Sequence, residues 1–191
     1  MARGTDTRDK MLRTASKLLR RQGYAATGWR QVVAESQTPW GSQAHHFPGG
    51  KEQLASEATA LTAAAYERGL RKMLAGQHPA EAIAKWFTSA ADGLERSRWA
   101  DGCPIATLAL ETAHVSDTLG AICDSAFASW QAALVDSFVD HGLSAENAAR
   151  MGVLVLSSFE GALVLSRASR TKTALLVVGE EMEKLLRQHF R

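Results

Sequence analysis

The chain has 191 residues, of which 46% are hydrophobic and 22% charged, and its formal net charge is +2. This size suits one large domain, or a small domain fused to a medium one, and the composition excludes a disordered chain. No apolar run approaches the ~20 residues that cross a bilayer. The N-terminus leads into a charged segment, so we expect neither a secretory signal nor membrane association. Cys103 and Cys123 are too few for a disulfide framework, and we expect both to be reduced in a cytoplasmic protein.

Basic residues are concentrated near the start of the chain. Residues 1–55 contain nine Lys or Arg and four acidic residues, which leaves 13 basic and 16 acidic residues for the remainder. A basic segment attached to a mildly acidic body is typical of a protein that meets phosphate. An ordinary solvated helix surface would give the same balance, so charge alone leaves both interpretations open.

The first predicted element is a helix over residues 7–22. Asp6 or Thr7 caps its first turn, and apolar residues recur at helical spacing to form one stripe. Arginines near its end suit the negative pole of the helix dipole. Gly23 then supplies a left-handed stop.

Two short helices follow. The second helix is predicted over residues 28–35, with Thr27 as its cap, and a tight turn comes next. Thr38 is expected to cap the third helix, which has Pro39 at its first position and ends near Phe47. Two short capped helices joined by a turn are typical of a helix-turn-helix, whose second helix enters the major groove of DNA.

The rest of the chain is also predicted to be helical. Turn residues divide it into helices over 51–74, 80–98, 105–114, 116–141, 144–168 and 171–191. The expected fold is all-α, with about nine helices. We predict a three-helix DNA-binding domain over residues 1–50, and a helical bundle over 51–191 for ligand binding and dimerisation.

Motifs in this pattern resemble the tetracycline-repressor (TetR) family of transcriptional regulators. Within residues 7–54 the strings GYAATGWRQVVAES and GSQAHHFPGGKEQL carry features in the order of that family. These are a Gly-Tyr after the first helix, a Thr that opens the second, a Gly-Ser within the third, and a His-Phe before Lys-Glu-x-Leu. FPGGKEQL and the later GCPIATLALETA are similar to the subgroup of LmrA/YxaF-like lincomycin-resistance repressors. The resemblance implies a dimeric, ligand-responsive repressor.

The candidate DNA contacts lie on the two short helices and their flanks. Helix N-termini offer free N–H groups that suit phosphate oxygens, and the partner would be a pseudo-palindromic double-stranded operator. The predicted contacts are Thr27, Arg30, Thr38, Pro39, Trp40, Gly41, Ser42, Gln43, His45, His46 and Lys51. The side chains of adjacent residues on a helix point in different directions, so we expect no metal site at His45 and His46. We also expect no cofactor.

One pair of residues departs from the family pattern. Gln43 and Ala44 stand where the family usually has Leu-Tyr, with the leucine packed inward and the tyrosine on a phosphate. Gln43 therefore either reaches a base edge, where glutamine bonds adenine, or remains as a polar residue in the core.

The body is predicted to hold a small molecule and a dimer interface. Its aromatic side chains either form an ordinary bundle core or line an apolar cavity. The predicted ligand contacts are Trp86, Trp99, Leu108, Glu111, Phe127, Trp130 and Phe159. Apolar and small residues recur along the last two helices, which pair with their twofold mates in the family; the alternative is that both stripes are intrachain core. By resemblance, the effector would be a planar or amphipathic aromatic compound.

The sequence is compatible with three functions. The leading hypothesis is a repressor released from its operator by a small apolar or aromatic ligand. The second is a helical small-molecule-binding protein with altered or lost DNA recognition, as suggested by Gln43 and Ala44. The third is a helical enzyme, but the sequence has no Gly-rich phosphate loop, Gly-x-Ser-x-Gly, His-Glu-x-x-His or Cys-x-x-Cys motif, so we expect no enzymatic activity.

Overall fold

A computed structural model describes residues 2–190 of the chain, with side chains from residue 6 onward. Within that range the secondary structure consists of nine α-helices and no strands, which confirms the predicted all-α fold. The helices are α1 (Ala2–Ala26), α2 (Trp29–Ser36), α3 (Ser42–His46), α4 (Gly50–Leu74), α5 (Pro79–Arg96), α6 (Pro104–Thr112), α7 (Asp117–Asp140), α8 (Ala145–Ser169) and α9 (Thr173–His189).

Most predicted helix ends agree with the structure. From α4 onward every end lies within two residues of the predicted position. Proline at the first position opens α5 and α6, and the Ser144 hydroxyl accepts from the backbone N–H of Asn147 to cap α8. The prediction for α1 is less accurate, because that helix begins at Ala2 and continues past Gly23 to Ala26. Gly23 still interrupts the helical backbone, with φ 82° and ψ −176°.

The helices form two compact units. The first contains the chain up to Ala64 together with Cys103–Ala126, and the second contains Ala65–Gly102 together with the chain from Phe127 onward. Helices α4 and α7 therefore contribute residues to both units. The predicted division at residue 50 concerns function rather than packing, and it stays a prediction.

The core of the first unit is built on α1. This helix packs along α6 and against α2, and its apolar stripe is almost completely buried. Phe47 closes this core, with its ring 5.9 Å from that of Trp29. Leu108, which was predicted to contact a ligand, is 1% exposed in the same core. Both cysteines of this unit are buried, and burial raises the pKa of the Cys123 thiol to about 11.

The core of the second unit is built on α5, which packs mainly against α9 and also against α8. Phe87 is completely buried at this contact. Gly179 of α9 lies directly against it, so close that a Cβ at that position would be 2.7 Å from the Phe87 Cβ. The two helices can approach this closely because α9 has no side chain there.

Helix α8 is the described helix with the length and composition to cross a bilayer, and 44% of its most apolar stretch is buried. A core helix of a globular unit meets the same two criteria. Its other apolar residues, with two from α9, form an exposed face that we call the α8–α9 face. That face contains Val153, Leu154, Val164, Leu165, Leu176 and Val177, each between 42% and 61% exposed.

The close approach of α5 and α9 yields a prediction about stability. Gly179→Ala should lower the free energy of unfolding by about 1–3 kcal/mol, because the new methyl group overlaps Phe87. Gly93→Ala is the matched control, since a Cβ there would only approach the Arg96 guanidinium at 3.9 Å. That variant should gain about 0.5–1 kcal/mol through helix propensity. Urea unfolding measures both, and two changes of the same sign would contradict this packing.

Candidate nucleic-acid interface and apolar cavity

The turn between α2 and α3 is closed by backbone hydrogen bonds. Gln37 adopts the left-handed conformation (φ 54°), and the N–H groups of Gln37 and Thr38 donate to the carbonyls of Ala34 and Val33 at 3.3 and 3.2 Å. These bonds satisfy carbonyls that the end of α2 would otherwise leave unpaired. The turn is therefore fixed by the backbone itself, and it sets where α3 begins.

Thr27 does not cap α2, contrary to the sequence prediction. Gly28 is the N-cap, and no side chain caps the helix there. The Thr27 side chain is buried, and its hydroxyl donates to the Gly23 carbonyl at 2.7 Å. A threonine hydroxyl bonds local backbone in several ways, and here it closes the end of α1 instead of opening α2.

Thr38 likewise does not cap α3. Its hydroxyl shares a 2.7 Å hydrogen bond with that of Ser36. The backbone makes a turn in which the Ser42 N–H donates to the Pro39 carbonyl at 3.0 Å, and α3 starts at Ser42 after Gly41. The predicted start at Pro39 is therefore three residues early.

Most predicted DNA contacts share a solvent-exposed surface around the turn and α3, which we call the recognition surface. Arg30, Pro39, Trp40, Gly41 and His45 are exposed, and Trp40 has 55% of its surface in solvent. Partly exposed members are Thr38, Ser42, Gln43, His46 and Lys51, whereas Thr27 is buried. Beside the start of α3, the exposed Trp40 side chain thus offers a large apolar surface to a binding partner.

Gln43 points inward from this surface. Its side-chain oxygen is buried and has no hydrogen-bond partner among the described residues. Of the two sequence interpretations, this orientation favours a polar residue retained in the core. Ala44, which replaces the usual tyrosine, is exposed and offers no hydroxyl.

The two histidines lie at the end of α3, with ring centroids 4.9 Å apart. Burial lowers the pKa of His46, and the neighbouring His45 and Arg8 lower it further. Arg8 lies over the Phe47 ring at 5.4 Å and forms an ion pair with Glu57. These effects favour the neutral form of His46. No cluster of metal-ligating side chains occurs among the described residues.

Lys51 is held at the edge of the recognition surface. Its ammonium nitrogen donates to the Ala25 carbonyl at 3.3 Å and lies 4.2 Å from the centroid of the Tyr24 ring. Partial burial lowers the pKa of Lys51, while the charge of Glu111 acts in the opposite direction. A lysine ammonium has three donors, so one bond to Ala25 leaves two for phosphate.

The second unit contains an apolar cavity of about 360 Å³. Its lining residues are Ala65, Tyr66, Gly69, Leu70, Met73, Trp86 and Trp130. Tyr66 stacks on Trp130 with centroids 5.4 Å apart. The α4 residues 66, 69, 70 and 73 were not predicted from the sequence, although their i, i+3, i+4, i+7 spacing marks one helix face.

Four of the seven predicted ligand contacts cluster at this cavity. Trp86 and Trp130 line it. Phe159 stacks flat on Trp86 with centroids 3.9 Å apart, and Phe127 meets Trp130 edge-on at 5.8 Å. These two phenylalanines contact the lining rings without lining the cavity themselves.

The other three predicted ligand contacts lie elsewhere. Leu108 is in the core of the first unit. Glu111 is also in the first unit, where its carboxylate accepts from the Ala25 N–H at 2.8 Å. Trp99 has a left-handed backbone (φ 63°), and its carbonyl accepts from Arg167 at 3.4 Å.

Two short helices joined by a fixed turn, with an exposed polar and basic surface, define a helix-turn-helix protein. Residues 79–181 match the family described as transcriptional regulator LmrA/YxaF-like, C-terminal domain. The chain is 38% identical to the HTH-type transcriptional regulator YxaF of Bacillus subtilis, over 96% of each chain. It is 32% identical to the regulator LmrA of the same species, over 96% of this chain and 98% of LmrA. The chain belongs to the LmrA/YxaF-like group of TetR-family transcriptional regulators.

Solved structures agree on the fold. A TetR regulatory protein from Rhodobacter sphaeroides matches with a TM-score of 0.82 at 18% identity, covering 92% of this chain and 96% of that one. A TetR-family regulator from Cytophaga hutchinsonii matches with the same TM-score at 20% identity, covering 98% and 96%. The comparisons confirm a DNA-binding transcriptional regulator and exclude the enzyme hypothesis.

The inward orientation of Gln43 yields a second prediction. Gln43→Leu should raise the free energy of unfolding by about 1 kcal/mol, because it removes a buried oxygen without a partner. Gln53→Leu is the matched control, since the Gln53 oxygen accepts from the Gly49 N–H at 2.8 Å, and its loss should destabilise. Chemical unfolding of both variants measures the difference. Equal destabilisation by the two substitutions would show that Gln43 has a partner in solution.

Proposed function

We propose that the protein is a repressor released from a pseudo-palindromic operator by a small apolar or aromatic effector, which binds in the cavity of the second unit. The observation that supports this most directly is the cavity itself. A volume of about 360 Å³ lies in the range of small-molecule sites, which are mostly apolar with a few polar groups. As a DNA-binding regulator, the protein would act in the cytoplasm, beside its operator.

The cavity walls favour a flat, weakly polar molecule. The rings of Tyr66, Trp86 and Trp130 face the space, and Met73 adds an adaptable thioether. The lining side chains carry no formal charge, so an ionic ligand would lose hydration without gaining an ion pair from them. We therefore propose a neutral planar compound, for which the Tyr66 hydroxyl supplies a polar contact.

The recognition surface supplies the proposed contacts to DNA. Arg30 and Lys51 carry the positive charge for phosphate contacts. We propose that Trp40, whose ring is exposed, packs against a thymine methyl group. Gln43 is excluded from this proposal as a base-reading residue, because its oxygen points inward.

We also propose that the protein is a homodimer through the α8–α9 face. Six large apolar side chains there are between 42% and 61% exposed in the single chain. Exposed apolar surface of this extent is typical of an interface between subunits. A twofold dimer would present two recognition surfaces to the two halves of a palindrome.

The proposed effector site can be tested with a neutral aromatic probe, N-phenyl-1-naphthylamine, whose fluorescence rises in apolar surroundings. Gly69→Phe should weaken its binding about tenfold or more, because the added ring fills the cavity. Lys72→Phe adds the same ring to an exposed position of α4 outside the cavity, and it should leave binding unchanged. Equal probe affinity in both variants would contradict this cavity as the site.

The proposed dimer can be tested with a charge on the α8–α9 face. Leu165→Arg should convert the dimer to a monomer, because it places a guanidinium on an apolar interface. Leu110→Arg is the control, since Leu110 is 79% exposed on α6 and belongs to the first unit. Light scattering reports the mass, and a gel shift reports the DNA binding that should fall with it. A Leu165→Arg dimer, or a monomeric parent chain, would contradict the proposal.

A further inference from the structure

Glu111 lies where α6 meets the end of α1. One carboxylate oxygen accepts from the backbone N–H of Ala25 at 2.8 Å. The same carboxylate fills the space beside Gly23, where any Cβ would overlap it. Residues 23–28 follow the regular part of α1 and lead into α2, and we call them the α1–α2 turn. Helix α6 thus contacts this turn through a charged hydrogen bond.

Ala25 is bonded from both sides. Its N–H donates to Glu111, and its carbonyl accepts from the Lys51 ammonium at 3.3 Å. Lys51 in turn lies over the ring of Tyr24, at 4.2 Å from the centroid. One residue of the turn therefore connects an acidic group from α6 to a basic group from α4.

The chain makes a second contact nearby. The Ser116 hydroxyl, which accepts from the Leu119 N–H and so caps α7, donates to Glu52 at 3.0 Å. Glu52 follows Lys51 directly in the first turn of α4. The segment that ends α6 and begins α7 therefore bonds both the α1–α2 turn and the start of α4.

We propose that Glu111 is a positioning residue for DNA binding, which holds the α1–α2 turn so that Lys51 is presented to a phosphate of the operator. This inference rests on the proposed role of Lys51 as a phosphate contact. Glu111 itself makes no contact with DNA in this proposal. It fixes the backbone of Ala25, and Ala25 orients the lysine.

Whether DNA affinity falls or rises when the Glu111 carboxylate is removed distinguishes this positioning role from simple charge repulsion. A carboxylate near a DNA-binding surface repels phosphate, so its removal on charge grounds alone should strengthen binding. Loss of a positioning bond should weaken it. Glu111→Gln removes the charge but keeps an oxygen that accepts from Ala25, whereas Glu111→Ala removes both.

The experiment measures the affinity of the full chain for a labelled duplex taken from the region upstream of its own gene, over a range of salt concentrations. Glu111→Ala should weaken binding roughly tenfold and lower the salt slope by about one, which is the signature of one lost phosphate contact. Glu111→Gln should retain affinity or gain slightly. Asp124→Ala removes an exposed carboxylate of α7 in the same unit, and serves as the charge control.

Coupling to Lys51 is measured with Lys51→Met. If Glu111 acts through Lys51, adding Glu111→Ala to Lys51→Met should cause no further loss. Thermal unfolding and light scattering must show that each variant is folded with the parent's mass. Tighter binding by Glu111→Ala, or an undiminished effect in the Lys51→Met background, would overturn the proposal. Failure of the parent chain to bind the duplex while folded would instead overturn the proposed DNA function and this inference with it.

Discussion

The helix-turn-helix depends on one interruption of the backbone at Gly23. Its φ of 82° ends the regular part of α1, and its missing side chain makes room for the Glu111 carboxylate. Thr27 then bonds the Gly23 carbonyl, so the same residue is held from two directions. Any other residue at this position would be strained by its φ and would also displace Glu111. The direction in which the chain enters α2, and with it the recognition surface, follows from this constraint.

The second unit has aromatic side chains around a cavity and exposed apolar side chains on its last two helices. Its aromatic residues line the cavity or contact the lining rings, as in the flat stack of Phe159 on Trp86. Its last two helices leave large apolar residues uncovered on one face while burying others against α5. A cavity and an uncovered face on one helical unit suit a protein that binds a small molecule and a second copy of itself. The chain belongs to a family of transcriptional regulators, and the two features enter the proposed function as the effector site and the dimer interface.

Helical periodicity, prolines and glycines predict the number of helices in the described residues and most of their ends, because these signals are local. The threonine caps were not predictable in the same way, since a hydroxyl such as that of Thr27 has several backbone partners within reach. The sequence predicts Glu111 as a polar group that converges on the ligand cavity, but the packing of α6 along α1 places its carboxylate at Ala25, 86 residues away in the chain. Tyr66 and Met73 were missed because their α4 spacing alone does not distinguish a cavity wall from ordinary core.

In the proposed function, the two helix-turn-helix units of a dimer bind the two halves of a pseudo-palindromic operator. Hydroxyl-radical footprinting of the full chain on the duplex upstream of its own gene tests this most directly, because it maps protected sugars along both strands. We expect two symmetry-related protected patches whose centres are separated by about one helical turn, roughly 34–36 Å, or by a multiple of it. A neutral planar effector should remove both patches together. A single unpaired patch, or protection without symmetry, would contradict it.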